Sequence, residues 1–357
     1  MKAMAVVAYG EPLVEIHVPQ PELRPGTALI EVLTCGVCFS DVKTSHGQMP
    51  FSPELTLPHV PGHEICGRVL ATDPPGLYEP GELVVVYHYW PCGRCRRCRA
   101  GDEVLCLDLK AWIGFTDPGG FQERLVVPLG QLVQVRGLDP VEAATVNCAL
   151  GTAYRAVVTR AQAAPGSTIA VVGLGGVGIH ALQVAAAAGS IAVGLDPSAR
   201  AREVAAGLRV PAYDTAGFEP AVTGLEPVEE EGFDAVVVTA GAPAAYRQAA
   251  EIVRKGGRIV CVGYTPDSEF RLATPRLVLE EIVVLGSRYV KRAELERAVE
   301  LVRRGQVKPV VHSLRPLGEV NDAYDDLTSG RVVGRTVLRV ADALESHSVT
   351  RHAVARR

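Results

Sequence analysis

The sequence predicts an α/β fold that combines a doubly wound parallel sheet with a second, mostly β region. From Ser167 onward, short apolar runs alternate with helical segments, which is typical of parallel strands covered on both faces. Before residue 150, short apolar runs are instead separated by proline and glycine. Because 357 residues are too many for one ordinary core, two domains are expected.

The N-terminal region contains three clear strand patterns, TALIEVL (27–33), GRVLAT (67–72) and GELVVVY (81–87). Residues 44–64 carry many prolines and no clean period, which predicts a long loop of the kind that is often functional. Residues 143–167 then predict a helix that ends near Pro165 and Gly166.

The alternating part of the chain continues to about residue 305. Its predicted strands are TIAVVG (168–173), IAVGLD (191–196), DAVVVTAG (234–241), GRIVCVGY (257–264) and IVVLGSRYV (282–290). Its predicted helices are VGIHALQVAAAAG (177–189), AAYRQAAEIVRKGG (244–257) and RAELERAVELVRRG (292–305). Residues 309–340 return to the mixed α/β pattern of the first domain, and residues 341–357 predict a frayed polar tail.

The net charge of −4 argues against a protein that coats nucleic acid, because such proteins usually carry a broad basic excess. No apolar run is long enough to span a bilayer, and the N-terminus lacks an apolar core of signal-peptide length. A cytoplasmic protein is therefore expected. In that compartment the nine cysteines should be reduced, which favours metal ligands over disulfides.

The segment TIAVVGLGGVG places Gly173, Gly175 and Gly178 in GxGxxG spacing between a strand and a helix. The first glycine allows a tight turn, the second lets a pyrophosphate approach the backbone, and the third lets the helix pack on the strand. Unpaired N–H groups at the helix N-terminus then attract the phosphates. We therefore expect a dinucleotide-binding domain of the Rossmann type.

Asp196 ends the next predicted strand, at the position where an acidic side chain accepts hydrogen bonds from the adenosine ribose. Such a carboxylate also repels a 2′-phosphate, which favours NAD over NADP. Arg200 and Arg202 follow closely. One of them could flank the adenine, or they could instead attract a phosphate.

Two groups of residues have the spacing of metal ligands. The segment PCGRCRRCRAGDEVLC (91–106) contains four arginines and four cysteines, Cys92, Cys95, Cys98 and Cys106. It is compatible with a nucleic-acid-binding zinc module or with a purely structural zinc site. The other group comprises TCGVCFSDVK (34–43) and PGHE (61–64).

Taken together, CGVCFSD, GHE, the four-cysteine segment, GLGGVG and NCALGTAYRAV resemble the zinc-dependent medium-chain alcohol dehydrogenase family. The resemblance extends from the N-terminal β region to VVGRTVL (332–338). It implies a GroES-like catalytic domain formed by residues 1–152 and 288–357. It also implies that residues 153–287 form the Rossmann domain.

The resemblance implies two zinc ions per chain. A catalytic zinc would be bound by Cys38, His63 and Cys148, with a fourth position open to substrate. Asp41 would orient His63, and Glu64 would be either a supporting partner or an exchangeable ligand. The second zinc would be structural and enclosed by Cys92, Cys95, Cys98 and Cys106. The remaining cysteines, Cys35, Cys66 and Cys261, would be packing residues.

The resemblance also assigns residues to proton transfer and to the cofactor. Ser40 would pass on the proton of the substrate oxygen. Lys43 stands where several relatives have the next relay histidine, so the relay would run either through the ribose and Lys43 or directly to water. The residues implied in NAD(H) binding are Gly173, Gly175, Gly176, Val177, Gly178, Asp196, Arg200, Val262 and Arg335. His46 and His59, in the long loop, are interpreted as solvated side chains, with a place in the substrate cleft as the alternative.

The implied reaction interconverts a primary or secondary alcohol and its aldehyde or ketone, with NAD carrying the hydride. The alternative is a dehydrogenase of a specialised secondary alcohol, such as a polyol, a sugar or a cyclic hydroxyacyl thioester. A non-enzymatic relative is disfavoured because the catalytic ligands are present. Family members are commonly dimers or tetramers, so we expect a homotetramer, or else a homodimer, that pairs through residues 282–290.

Overall fold

A computed structural model of the chain describes residues 1–50, 54–265 and 268–341. The tail predicted for residues 341–357 therefore lies, apart from its first residue, outside the described residues. The same holds for residues 51–53 of the predicted long loop. In the described ranges, none of the helices combines the length and apolar character needed to cross a membrane.

The N-terminal part is mostly β, as predicted. Its strands are β1 (Lys2–Ala5), β2 (Val14–His17), β3 (Thr27–Gly36), β4 (Glu64–Asp73), β5 (Leu83–Val86), β6 (Tyr89–Trp90), β7 (Ala111–Trp112), β8 (Arg124–Pro128) and β9 (Leu132–Gln134). Its helices are α1 (Phe39–Ser45), α2 (Arg96–Arg99), α3 (Pro140–Thr145) and α4 (Gly151–Tyr154). Single 3₁₀ turns lie at Glu103–Leu105 and Leu129–Gln131.

Helices α3 and α4 belong to one continuous helical segment that connects the two parts of the molecule. A π-helical turn at Val146–Leu150 joins them, and a second π-helical turn, Arg155–Arg160, follows α4. The segment ends earlier than predicted, because Gln162 adopts a left-handed conformation with φ of 59°. The predicted domain boundary at residue 152 falls inside this segment.

The central part alternates strands and helices. Its elements are β10 (Thr168–Val172), α5 (Gly178–Ala187), β11 (Ile191–Leu195), α6 (Ala199–Gly207), β12 (Ala212–Tyr213), α7 (Glu226–Glu231), β13 (Phe233–Val238), α8 (Pro243–Ile252), β14 (Val253–Cys261), α9 (Thr274–Leu279), β15 (Val283–Gly286) and α10 (Arg292–Arg303). The helix predicted over 244–257 was too long. Val253 leaves α8 to pair with Phe233 of the neighbouring strand, and Gly256 has φ of 69°, which a helix does not allow.

These strands form one parallel sheet in the order β12-β11-β10-β13-β14-β15, the arrangement of a doubly wound dinucleotide-binding fold. All five residues of β10 are buried, because helices cover both faces of the sheet. The strand order reverses between β10 and β13, so the loops after these two strands open a crevice at the sheet edge. The predicted fold class is confirmed.

The C-terminal elements return to the N-terminal sheet. They are β16 (Val311–Pro316), α11 (Val320–Thr328) and β17 (Arg335–Arg339), with a 3₁₀ turn before α11. Strand β17 pairs with β3, which completes a seven-stranded sheet in the order β16-β17-β3-β4-β5-β9, with β8 also paired to β3. As a result, Arg335 at the start of β17 is placed beside β3 and the start of β4.

Candidate active site

Cys38, His63, Glu64 and Cys148 converge from three separate segments of the chain. One ligand atom from each lies within 4.8 Å of those of the other three. Cys38 immediately precedes α1, His63 and Glu64 stand at the start of β4, and Cys148 lies in the first π-helical turn. The first three side chains are buried, whereas that of Cys148 is partly exposed. The cluster is thus open on one side.

Asp41 fixes two members of this cluster. As the third residue of α1, it accepts a hydrogen bond at Oδ2 from the backbone N–H of the N-cap residue Cys38 at 2.8 Å, as in a capping box. Its Oδ1 atom lies 2.8 Å from Nδ1 of His63. Burial opposes protonation of His63, but the charge of Asp41 and this hydrogen bond raise its pKa well above the usual value. The contact leaves Nε2 of His63 as the ring nitrogen available to a metal.

The two thiols of the cluster act on each other. A hydrogen bond from Cys148, together with the nearby Arg335, holds the pKa of Cys38 well below that of a free cysteine. The same interaction with Cys38, reinforced by burial, raises the pKa of Cys148. A thiolate, an imidazole and a second sulfur form the donor set of a catalytic zinc site with one open position. The residues present therefore fit that metal.

Asn147, which the sequence reasoning missed, supports the segment that carries Cys148. Its side-chain amide donates to the carbonyl oxygens of His63 at 2.7 Å and of Val86 at 2.6 Å. The hydroxyl of Tyr289 donates to Oδ1 of Asn147 at 2.7 Å. These bonds tie the π-helical turn to β4, β5 and the segment after β15. Such π-helical turns are frequent at functional sites. The hydrogen-bond partners of Asn147 lie 61 to 142 residues away in sequence, so no local pattern predicts these bonds.

Arg335 connects the cluster to the glycine loop. Its Nε atom lies 2.9 Å and 3.1 Å from the two carboxylate oxygens of Glu64, and its Nη2 atom lies 3.5 Å from Sγ of Cys38. Burial raises the pKa of Glu64 to about 7, against the opposing charge of Arg335. A Cβ atom on Gly176 would collide with Nη1 of Arg335. One guanidinium therefore touches the metal cluster and the loop after β10.

The four-cysteine segment forms a second, separate cluster. Its sulfur atoms lie 3.9 Å (Cys92 to Cys98), 3.5 Å (Cys95 to Cys98) and 4.0 Å (Cys95 to Cys106) apart. A tetrahedron of four thiolates about 2.3 Å from a zinc ion has edges of about 3.8 Å. Backbone N–H groups of Cys92, Cys95 and Cys98 point at sulfur atoms at 3.3 to 3.5 Å. The donor set fits a closed zinc site.

Two acidic residues of the four-cysteine segment make contacts outside it. Asp102 pairs with Lys291 at 2.6 Å, and Glu103 accepts the backbone N–H of Arg292 at 2.9 Å. Both carboxylates thus join the four-cysteine segment to the start of α10. Arg94 pairs with Asp108 at 3.2 Å.

The glycine loop has the shape that a pyrophosphate requires. Gly173 has φ of 92°, and a Cβ there would meet Ala240 at 2.8 Å. A Cβ on Gly178 would collide with the carbonyl oxygen of Gly173, so the helix that begins there packs tightly on the turn. Around Gly175, by contrast, nothing lies within 4 Å of the Cβ position. The loop, which also includes Gly176 and Val177, therefore leaves open space at the glycine that a phosphate must approach.

Asp196 stands directly after β11, as the motif requires. Its Oδ2 atom accepts the backbone N–H of Leu174 at 2.6 Å, which places the carboxylate against the glycine loop. Arg202 pairs with Asp214 at 3.0 Å, so its charge is already balanced. Arg200 donates to the carbonyl oxygen of Arg331 at 3.0 Å, away from Asp196. Val262 follows β14, and its N–H donates to Val238 at 2.9 Å.

His180, another residue that the sequence reasoning missed, is hydrogen-bonded to the glycine loop and holds it in place. Its Nδ1 atom lies 2.7 Å from the carbonyl oxygen of Gly176, and its Nε2 atom accepts the N–H of Val310 at 3.0 Å. Burial lowers its pKa to about 4, so the ring is neutral and can make both bonds. It thus joins the loop to the chain that leads into β16.

Ser40 and Lys43 both lie on α1, one turn apart. The ammonium of Lys43 donates to the carbonyl oxygen of Tyr264 at 2.9 Å and lies 3.8 Å from the centre of that ring. Partial burial lowers its pKa. The residue therefore spans the space between α1 and the loop after β14, a contact between positions 221 apart in sequence.

An aromatic cluster extends outward from His63. The ring of Phe115 lies 4.7 Å from His63 and 4.2 Å from Trp112, and the ring of His88 lies 5.0 Å from both His63 and Tyr89. Trp90 is exposed and does not share in these ring contacts.

The two loop histidines do not behave alike. The interpretation of His59 as solvated was wrong, because it is only 4% exposed and its Nε2 atom lies 3.4 Å from the carbonyl oxygen of Gly114. His46 is exposed. Among the remaining cysteines, Cys35 and Cys66 are fully buried, and Cys261 is partly buried in β14.

Comparison with known proteins identifies the family. Residues 24–137 match the alcohol dehydrogenase GroES-like domain, and residues 207–338 match the zinc-binding dehydrogenase domain. An alcohol dehydrogenase of Geobacillus stearothermophilus is 33% identical over 344 residues, which is 95% of this chain and 100% of that protein. The crystal structure of an NAD-dependent alcohol dehydrogenase matches with a TM-score of 0.88 and 27% identity, over 96% of this chain and 100% of that one. The alcohol dehydrogenase of Aeropyrum pernix matches with a TM-score of 0.86 and 28% identity, over 95% of this chain and 100% of that one. The chain therefore belongs to the zinc-dependent medium-chain alcohol dehydrogenase family.

Proposed function

We propose that this protein interconverts alcohols and their aldehydes or ketones, with NAD accepting or supplying the hydride. The observation that carries the proposal is the contact of Arg335 with both the open metal cluster and the glycine loop. This contact supports a zinc site that lies beside a dinucleotide site, the arrangement that hydride transfer to NAD demands. Two relatives that are 33% and 32% identical to this chain are named alcohol dehydrogenases. The alternative of a dehydrogenase for a polyol, a sugar or a cyclic hydroxyacyl thioester is therefore not favoured.

The catalytic residues divide into those that hold the metal and those that move the proton. Zinc, when bound by Cys38, His63 and Cys148, supplies a Lewis acid to the substrate oxygen. Asp41 keeps His63 in the tautomer that binds a metal, and Glu64 stays paired with Arg335 as a supporting residue. Ser40 lies two residues beyond Cys38 and is proposed to accept the proton of the substrate hydroxyl.

Lys43 is proposed as the next member of the proton path. It lies one helical turn beyond Ser40, and its partial burial lowers its pKa, which makes proton exchange with solvent easier. It replaces the histidine of several relatives, so its role depends on release from the Tyr264 carbonyl.

NAD is proposed to lie across the edge of the parallel sheet. Its pyrophosphate would rest on Gly175, Gly176 and Val177, between the tight turn at Gly173 and the helix start at Gly178. Asp196 would accept the adenosine ribose hydroxyls and disfavour a 2′-phosphate. Val262 would lie near the nicotinamide. Arg200, which is engaged with Arg331, would need to turn to reach the cofactor.

A second, structural zinc is proposed at Cys92, Cys95, Cys98 and Cys106, which gives two zinc ions per chain. Four sulfur donors fill a tetrahedral site and leave no position for substrate. We further propose the division into residues 1–152 and 288–357 on one side and residues 153–287 on the other, with the helical segment through residue 152 shared between them.

A homotetramer, or a homodimer as its minimal unit, is proposed to form through β15. This strand is the edge of the parallel sheet, and Val283 and Val284 are exposed on it. Val278 and Leu279 of α9 are also exposed, at 63% and 81%. Pairing of two edges would cover these apolar side chains. A cytoplasmic location remains a prediction from the sequence.

The proposal is tested with a panel of alcohols and carbonyl compounds, read at the nicotinamide absorbance. We expect turnover with NAD(H), two zinc ions per chain by metal analysis, and loss of one ion in the C38A variant. That variant should lose turnover but still bind NAD, because the glycine loop is untouched. No turnover of any alcohol or carbonyl, or C38A with normal activity, would refute the proposal.

A further inference from the structure

An exposed arginine stands at the far end of the aromatic cluster that starts at His63. Cζ of Arg288 lies 5.1 Å from the centre of the Tyr89 ring and 5.0 Å from that of Trp112. Both rings are stacked at 5.5 Å on each other. The guanidinium is therefore held on an aromatic surface, which fixes its position better than a free side chain would.

This aromatic surface is continuous with the metal cluster. Trp112 stacks on Phe115, and Phe115 contacts His63. A second route runs from Tyr89 through His88 to His63. Phe115, His88 and Tyr89 are each only 3% exposed, so the path is a packed wall. An alcohol that bound with its oxygen at the cluster and its apolar body along this wall would end at Arg288.

The end of the wall offers hydrogen-bond donors to a ligand. Across the described ranges, Arg288 takes part in no ion pair, although arginine presents five N–H donors. Trp112 Nε1 is buried and has no hydrogen-bond partner. The guanidinium of Arg288 is exposed and can exchange water for a ligand, and a carboxylate matches a guanidinium with two parallel hydrogen bonds.

We propose that Arg288 is a specificity-determining residue that binds a carboxylate on the substrate, so that the preferred substrates are alcohols or carbonyl compounds with an acidic group at the opposite end. This inference rests on the proposed alcohol dehydrogenase activity. It specifies the charge of the substrate, which the sequence did not predict. The aromatic wall would set the distance between the two polar ends of the substrate.

The test compares substrates that differ only in charge. One pair is 4-(hydroxymethyl)benzoate and 4-(hydroxymethyl)benzamide, and a longer, flexible pair is 6-hydroxyhexanoate and 6-hydroxyhexanamide. We expect kcat/KM for the acid to exceed that for the amide by at least about tenfold in one of the pairs, because hydrogen bonds to a charged group are the strong ones. Since the attraction is partly exposed, raising the salt concentration should reduce the preference.

Substitution of the arginine then assigns the effect. R288Q should reduce the ratio of the two kcat/KM values by about 10- to 100-fold, the range that one charged contact spans. R288K, which keeps the charge but loses the planar pair of donors, should retain part of the ratio. A role in packing or in subunit contact would lower both values together and leave their ratio unchanged.

The outcomes separate the two proposals. If no alcohol is oxidised with NAD, the proposed function fails. If neutral alcohols are oxidised but neither acid is preferred over its amide, or if R288Q leaves the ratio unchanged, the inference about Arg288 is overturned while the proposed function stands. R288Q should have the same molar mass in solution as the unsubstituted protein. A different mass would show that Arg288 lies in a contact between subunits, which would overturn the inference.

Discussion

Replacing Asp41 by asparagine changes one oxygen into a nitrogen at the centre of the proposed zinc site. The carboxylate is fully buried and makes two hydrogen bonds of 2.8 Å, to the N–H of Cys38 and to Nδ1 of His63. In D41N the remaining oxygen can still accept from Cys38, so the amide nitrogen faces His63. An amide N–H donor there requires an unprotonated Nδ1 and moves the ring proton to Nε2, where it blocks a metal.

The size of the effect follows from that geometry. Loss of a carboxylate that supports a metal-binding histidine typically costs about 10- to 100-fold in metal affinity or activity. The side-chain oxygen that asparagine keeps can still accept the N–H of the N-cap residue Cys38, so the cap of α1 survives and the fold should change little. D41N should therefore lower zinc affinity at one of two sites by about 10- to 100-fold, and kcat by a similar factor.

The assay is a zinc titration of the metal-free protein in competition with a chromophoric chelator. The four-cysteine site in the same molecule serves as the internal reference. The matched control is D139N, because Asp139 also caps a helix, with Oδ1 2.8 Å from the N–H of Val141, but touches no proposed ligand. If D41N keeps both zinc affinities within about twofold of D139N, the reasoning about His63 is wrong.

Three further predictions concern the cofactor loop and the support beneath it. G175A should fold normally but lose NAD affinity, because the added methyl group meets only open space in the free protein, whereas G178A should destabilise the fold itself through a collision with backbone. D196A should weaken NAD binding and strengthen NADP binding, as measured by fluorescence titration of both reduced cofactors. His180 has a folded-state pKa of about 4 against 6.5 for a free histidine, so it should stabilise the protein above pH 6.5, and that stability should be lost as the pH falls toward 4. The loss should reach about 3 kcal/mol and be absent in H180Q, whose amide can make both hydrogen bonds without titrating.

Each of these predictions has a result that contradicts it. Equal urea unfolding curves for the two glycine variants would show that the tight packing at position 178 does not matter. An unchanged ratio of NAD to NADP affinity would remove Asp196 from the cofactor site. Parallel curves of stability against pH for H180Q and the unsubstituted protein would mean that the buried imidazole is not the group that titrates.

The parts of the site that the sequence predicted are those encoded by short-range spacing. The glycine loop needs three glycines within six positions, and the four-cysteine lobe needs its ligands within fifteen. Asp196 follows because its strand is next in the chain and next in the sheet. Cys38, His63 and Cys148 came from the family resemblance, since no local pattern brings three distant segments together.

The parts that escaped prediction depend on how distant elements pack. Asn147 bonds to Val86 and Tyr289, and His180 bonds to Val310, so their roles exist only once both sheets are in place. The early end of α8 has the same cause. Residues 244–257 have a helical pattern, but pairing of β14 with β13 offers Val253 a buried position that a longer helix would forfeit.

If NAD binds at Arg335 as proposed, sharing of this residue would make zinc and NAD binding thermodynamically dependent on each other. A phosphate that draws the guanidinium away from Glu64 alters the charge balance around Cys38 and His63, and a zinc ion that alters Glu64 changes what the guanidinium offers to a phosphate. Binding free energies linked in this way are reciprocal. The factor by which NAD changes the retention of zinc must therefore equal the factor by which zinc changes the affinity for NAD.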